Sequence, residues 1–325
     1  MAGGPSTPAL VGAAAEAGAI GFLAAGYKTA PAMRDEIAAV RAATEGAFGV
    51  NVFVPGEPTG QPTALAAYLS ALEDEAAALG ASVGAPQWDD DAYEAKLDAL
   101  MADPPPIVSF TFGCPSREVV HALQAADALV VVTVTTPAEA ALAQGAGVDG
   151  LCLQGSEAGA HRGSFVNDDR PGQDHPLSSL LADVRRATHL PLIAAGGIAG
   201  PSGVAAALAA GATQAQLGTA FLRCAESGAN PVYKAALADP RFTATAMTRA
   251  FSGRRARSLV NGFMLAHEEV PAAYPEINNA TRPLRAAAAS AGEADRMSLY
   301  AGVSFRQAHE GSAGEIIERL ASALP

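Results

Sequence analysis

The chain has 325 residues, half of them apolar, and carries 33 acidic against 21 basic side chains for a formal net charge of -12. That supports one large core with an appendage rather than several small domains, and it argues against a broad nucleic-acid or anionic-membrane footprint, so any anion must be caught locally. Cys114, Cys152 and Cys224 are odd in number and lack metal-ligand spacing, which points to a reducing cytoplasm without disulfides or a metal; no leader pattern and no bilayer-length apolar run is read.

In chain order, apolar runs recur at 19–26 (AIGFLAAG), 48–55 (FGVNVFVP), 107–113 (IVSFTFG), 128–136 (ALVVVTVTT), 149–155 (DGLCLQG), 190–197 (LPLIAAGG) and 214–222 (QAQLGTAFL). Seven strands are predicted. Ala-rich stretches with helical charge spacing lie between them, such as APAMRDEIAAVRAAT, SREVVHALQAAD and PLSSLLADVRRAT. Alternating strand and helix gives a parallel sheet, and the nearly continuous apolarity of the runs predicts strands covered on both faces. A doubly wound sheet and an eight-stranded barrel both satisfy this rhythm. The polar residues favour the barrel, because Asn51, Ser109, Gln154, Gly196, Gly197, Gly218 and Thr219 fall at or just after strand ends, where a (β/α)8 barrel carries its site.

Two segments break the rhythm. Residues 56–106 form an insertion with helix-like ALAAYLSALEDEAAALGA and the acidic WDDDAYEAKLDALM, read as surface helices that flank the site and carry solvated charge. Residues 241–325 read as a C-terminal helical extension packing on a barrel of residues 1–240.

The glycine-rich strand ends carry the chemistry. In LIAAGGIAGPSGVAAAL a strand gives way to Gly196 and Gly197 and then to a helix with Pro201 at its start, so free N–H groups and a helix N-terminus can meet a phosphate. The stretch does not fit G-x-G-x-x-G, which weakens a Rossmann reading. AQLGTAFL brings Gly218 and Thr219 to the next strand end, and two adjacent late strands forming one phosphate site is a known barrel arrangement.

The segment LCLQGSEAGAHRG (151–163) is the third feature. Glu157 stands where a nucleophile elbow needs serine, and His161 has no second histidine four residues away, so hydrolase and zinc-helix readings fail. What remains is a glycine-flanked histidine that can exchange a proton near neutral pH, beside Arg162, which can attract an anionic substrate. The other five histidines are read as structural.

The set MAGG, GFLAAGY, NVFVP, LQGSEAGAHRG, PLIAAGGIAG, AQLGTAFL and TRAFSGRRAR, in this order over residues 1 to about 265, resembles the nitronate monooxygenase family, formerly called 2-nitropropane dioxygenases. The resemblance implies a TIM barrel that binds FMN, uses no metal, and oxidises anionic alkyl nitronates with O2 to carbonyl compounds and nitrite. By match to the family's motifs, Met1, Ala2 and Gly3 would lie along the flavin, and Asn51 and Gln154 would contact its ring or ribityl chain. Gly159, Gly196, Gly197, Gln216, Gly218 and Thr219 would hold the rest, chiefly the phosphate. His161 matches the catalytic histidine, which would orient the nitro oxygens or remove the α-proton of a neutral nitroalkane.

Three departures are visible. Ala160 replaces a family glycine, Tyr300 is the one candidate for the substrate-side aromatic residues, and the chain starts at the methionine of MAGG, so the barrel is expected to be one strand short and the natural chain to begin upstream. Two other functions fit the same residues: an FMN barrel that reduces an enoyl thioester or quinone with NAD(P)H, and a non-catalytic flavin-binding protein.

Overall fold

Each apolar run becomes a strand narrower than the run itself, and glycines turn the chain away at the ends of runs such as 107–113 and 190–197. In the computed structural model, which describes residues 1–168 and 174–324, the strands are β1 (Gly21–Ala24), β2 (Phe48–Phe53), β3 (Ile107–Thr111), β4 (Leu129–Val134), β5 (Gly150–Gln154), β6 (Ala160–His161), β7 (Leu192–Ala195), β8 (Gln214–Gln216), β9 (Thr245–Thr248) and β10 (Ala256–Leu259). Seven of them form one parallel sheet in the order β1-β2-β3-β4-β5-β7-β8. The remaining three form a small antiparallel sheet, β6-β10-β9.

The two faces of the large sheet differ in chemistry. Val50, Val52, Val108, Phe110, Val130, Val132, Leu151 and Leu153 are fully buried on the outer face. They share one core with Met33, Ile37, Leu97, Leu123, Leu180 and Val184 of the surrounding helices. The alternate positions, Asn51, Ser109, Thr111, Thr133, Gln154 and Gln216, line an inner cavity. Strand periodicity thus sends every second residue into the lumen, and those residues are polar or small.

Among the described residues no ladder joins β8 to β1, so the barrel has seven strands and an open seam. Helices cover it. Leu10 of helix Pro8–Glu16 packs with Ile316 and Leu320 of helix Ala313–Ala321, together with Val204 and Cys224. The second of these helices begins with a capping box between Ser312 and Glu315.

Residues beyond 240 are not purely helical, as the sequence reading had them. β9 and β10 lie there, and their polar sequences, TAMT and ARSL, give no apolar run to detect. The insertion is also not a solvated flank. Leu65, Tyr68, Leu72 and Ala76 are buried against Phe251, Phe263, Ile277 and Leu284 of the C-terminal segment, and Tyr68 Oη donates to the Ala250 carbonyl at 2.6 Å. Of the acidic triplet, Asp91 pairs at 2.7 Å with Lys96, a lysine with 0% exposure, and accepts the Tyr27 N–H at 2.8 Å. Asp89 and Asp90 cap the local turn through the N–H groups of Asp91 and Ala92. The triplet is an anchor, because one of its carboxylates neutralises a buried cation.

Candidate active site

The carboxyl ends of the strands surround a cavity of about 420 Å³. All twelve residues matched to the family's cofactor and catalytic motifs line it: Met1, Ala2, Gly3, Asn51, Gln154, Gly159, His161, Gly196, Gly197, Gln216, Gly218 and Thr219.

One wall consists of glycines and uncharged donors. Gly196 and Gly197 have φ of 116° and 70°, the left-handed region that a side chain disfavours. The N–H groups of Gly197, Gly218 and Thr219 donate to no backbone oxygen among the described residues. The Thr219 hydroxyl oxygen accepts the Gly302 N–H at 3.0 Å, which leaves its own proton to donate. At the floor, Asn51 Oδ1 accepts from Ser109 Oγ and Thr111 Oγ1, both at 2.9 Å, and Gln216 Oε1 accepts from Cys152 Sγ at 3.6 Å. The amide nitrogens of Asn51 and Gln216 donate to no protein group among the described residues. This donor set suits a flat ring edged with acceptor N and O atoms and carrying a phosphate tail. FMN fits that description.

His161 also lines the cavity. It pairs with Ala256 in the small sheet, at a point where Gly159 runs so close to Ala301 and Gly302 that a Cβ would lie 2.4 Å from the Gly302 nitrogen. Ala160 takes a φ of 64° where the family pattern has glycine. His161 Nε2 lies 2.8 Å from Ser252 Oγ, and the Ser252 hydroxyl lies 3.2 Å from the Arg254 carbonyl, to which it donates. The His161–Ser252 pair is fixed at this distance, and the tautomer decides which of the two donates. Burial, then the charges of Arg254 and Arg285, pull the imidazole pKa down to about 3, so the ring is neutral at pH 7.

Aromatic rings enclose it. The centroids of Tyr300, Tyr274 and Phe112 lie 5.2, 5.6 and 5.9 Å from the imidazole, and Phe53 packs on Phe112 at 4.5 Å. Tyr274 Oη donates to Tyr27 Oη at 3.1 Å. Tyr300 was the aromatic candidate in the sequence, and the other four come from scattered segments with no motif to join them. Ser252 lay within the quoted TRAFSGRRAR, but nothing local tied it to a histidine 91 positions away.

Arg162 does not face the cavity, contrary to its reading as the substrate's attractor. It is only 3% exposed, and Nη1 donates to the carbonyls of Gln154 and Gly155 and to Gln154 Oε1. Neighbours along a strand point to opposite faces, so His161 and Arg162 cannot share one. Arg254 stacks 4.0 Å over Phe112 and donates to the carbonyls of Arg162 and Ser164. Glu157 accepts the Leu177 N–H and so caps the helix Leu177–Ala187.

The family model for nitronate monooxygenase matches residues 1–323. A nitronate monooxygenase of Pseudomonas aeruginosa is 39% identical over 334 aligned positions, covering 99% of this chain and 93% of that protein. A probable nitronate monooxygenase of Staphylococcus aureus is 34% identical, with 98% and 90% covered. Among solved structures, a nitroalkane oxidase from Streptomyces ansochromogenes has a TM-score of 0.96 at 50% identity, covering 100% of this chain and 93% of that one. FabK from Thermotoga maritima has the same fold, with a TM-score of 0.72 at 24% identity and 99% and 90% covered.

Proposed function

Since the chain belongs to the nitronate monooxygenase family, we propose that it oxidises alkyl nitronates, and nitroalkanes after loss of a proton, to carbonyl compounds and nitrite with O2 and bound FMN. The observation that carries this reading is one cavity that holds both unspent backbone and amide donors and a neutral histidine among aromatic rings.

Gly196, Gly197, Gly218 and Thr219 would hold the phosphate, where unspent N–H groups and a threonine hydroxyl converge. Asn51, Gln154 and Gln216 would meet the ring and ribityl chain, and Met1, Ala2, Gly3 and Gly159 would lie alongside. When bound, FMN accepts electrons from the substrate and passes them to O2. The protein's own part is to hold the small anion against the ring and exclude bulk water, which the rings of Phe112, Tyr274 and Tyr300 do. His161, neutral at pH 7, accepts a proton from the α-carbon of a neutral nitroalkane, and for a nitronate it orients the nitro group.

Among the described residues no helix is long and apolar enough to cross a membrane. We assign the enzyme to the cytoplasm, which suits three free cysteines.

The test is to release the flavin with acid, identify it by chromatography, then add propyl-2-nitronate to the holoenzyme without oxygen. Released FMN, bleaching by the nitronate and nitrite formation in air are expected. FAD, no flavin after reconstitution, or bleaching by NAD(P)H and not by the nitronate would overturn the proposal.

A further inference from the structure

The protein as a whole repels anions, with a net charge of -12. A negatively charged substrate therefore needs a cation inside the site. Among the described residues that line the cavity, Arg285 has the only charged side chain. Arg162 is turned away, and Arg254 is committed to carbonyl oxygens behind Phe112.

The Arg285 guanidinium is held on one side only. Nε donates to Thr281 Oγ1 at 3.2 Å, and Nη2 donates to the Asn278 carbonyl at 2.8 Å and to Asn278 Oδ1 at 3.0 Å. Both partners are buried, at 0% and 3% exposure, and both are uncharged. No ion pair neutralises Arg285 among the described residues. Its Nη1 donates to no protein group among them either. The charge acts on the site, since it lowers the proton affinity of His161, Tyr27 and Tyr300.

We propose that Arg285 is the anchor for the substrate's negative charge, with Nη1 donating to a nitro oxygen of the nitronate, and that the same contact binds small planar oxyanions such as the nitrite product. This inference rests on the nitronate reading above. Helix Glu276–Ala291 carries the arginine together with the two residues that orient it, so the cation is placed before the anion arrives. With Nε and Nη2 already engaged, one nitrogen remains for the ligand. A charge-assisted hydrogen bond of this kind is the strong type.

The test uses nitrate, an inert planar anion, as a probe. Its binding to the holoenzyme is followed by the change in flavin absorbance and by competition against the nitronate. In Arg285→Met, the nitrate dissociation constant and the nitronate KM are expected to rise on the order of 10- to 100-fold, while the KM of a neutral nitroalkane rises much less. Arg285→Lys keeps the charge but cannot make all three clamping contacts, and it should recover much of the nitrate affinity even where the melting temperature falls. Nitrate affinity unchanged in Arg285→Met, equal KM increases for charged and neutral substrates, or affinity that follows melting temperature across both variants would overturn the proposal and leave Arg285 as a clamp of its helix. Failure of the nitronate to bleach wild-type flavin would count against the functional reading instead, because nitrate binding does not depend on turnover.

Discussion

The His161 imidazole loses proton affinity to burial first and to two guanidinium charges second, which brings its pKa from 6.5 to about 3. In the unfolded chain the ring takes a proton below about pH 6.5, while the folded ring stays neutral. Its contribution to stability is complete above pH 6.5 and is lost as pH falls toward 3. Nitrogen-15 spectra of histidine-labelled protein should show no titration of this ring between pH 5 and 8; a midpoint near 6.5 would mean that the ring is solvated. A ring this reluctant to charge is a weak base until an anion neutralises its cationic neighbours. His161→Asn should reduce turnover of neutral nitroalkanes by about 10²–10⁴-fold and that of preformed nitronate far less, which parallel assays of the two substrates would measure.

Gly159 acts on the same residue through its backbone. An added Cβ would meet the Gly302 nitrogen at 2.4 Å and the Ala301 carbonyl carbon at 2.5 Å, and neither can rotate away. Gly159→Ala should lower the melting temperature by several degrees and release flavin, since it pushes the Tyr300 segment off His161. An unchanged melting curve would show that this approach is not tight.

At the scale of elements, the seven barrel strands were legible because an apolar outer face under helices needs a run of large aliphatic residues, and Val50, Val108, Val130 and Leu151 meet that need. β6, β9 and β10 were not legible, since they are short and polar, and β10 offers only Ala256 and Leu259 to a core. The glycine wall of the cavity was readable because a turn at positive φ demands glycine, and Gly196 and Gly197 advertise it. The aromatic side was not, because Tyr27 and Phe53 stood in GFLAAGY and NVFVP with no sign that Phe112 and Tyr274 would meet them after folding, and Arg285 carries no local pattern. The acidic triplet misled for a related reason: sequence does not show that Lys96 lies beneath it with 0% exposure. Lys96→Met leaves the Asp91 carboxylate without its cation and should cost about 3–5 kcal/mol by denaturant unfolding. Adding Asp91→Asn should recover part of that loss, and additive losses would show that the two side chains are uncoupled.

On the scale of the whole molecule, the insertion and the C-terminal segment form one lid over the barrel mouth. Leu65, Tyr68 and Leu72 pack under Phe251, Ile277 and Leu284. Thr59 N–H donates to Glu276 at 2.8 Å, and Asn279 donates to the Gln87 carbonyl at 2.7 Å. The lid carries Tyr274, Arg285 and Tyr300, so a family with one barrel can change its substrate by changing this unit while leaving the glycine wall alone.

At the seam between β8 and β1, two strand edges have no ladder partner among the described residues. A closed ring of ladders has a fixed circumference, and it cannot widen without breaking hydrogen bonds all along one strand. Here the girth is set by helices Pro8–Glu16 and Ala313–Ala321, which meet through side chains that can slide. The two edge strands are therefore held on one side by side-chain packing alone, and the inner strands by ladders on both sides. Hydrogen exchange should report this stiffness gradient around the circumference: amides of β3 and β4, flanked on both sides, exchange slowest, and those of β1 and β8 fastest. Adding flavin should slow the two edge strands most, and uniform protection around the barrel would mean that the ring behaves as if it were closed.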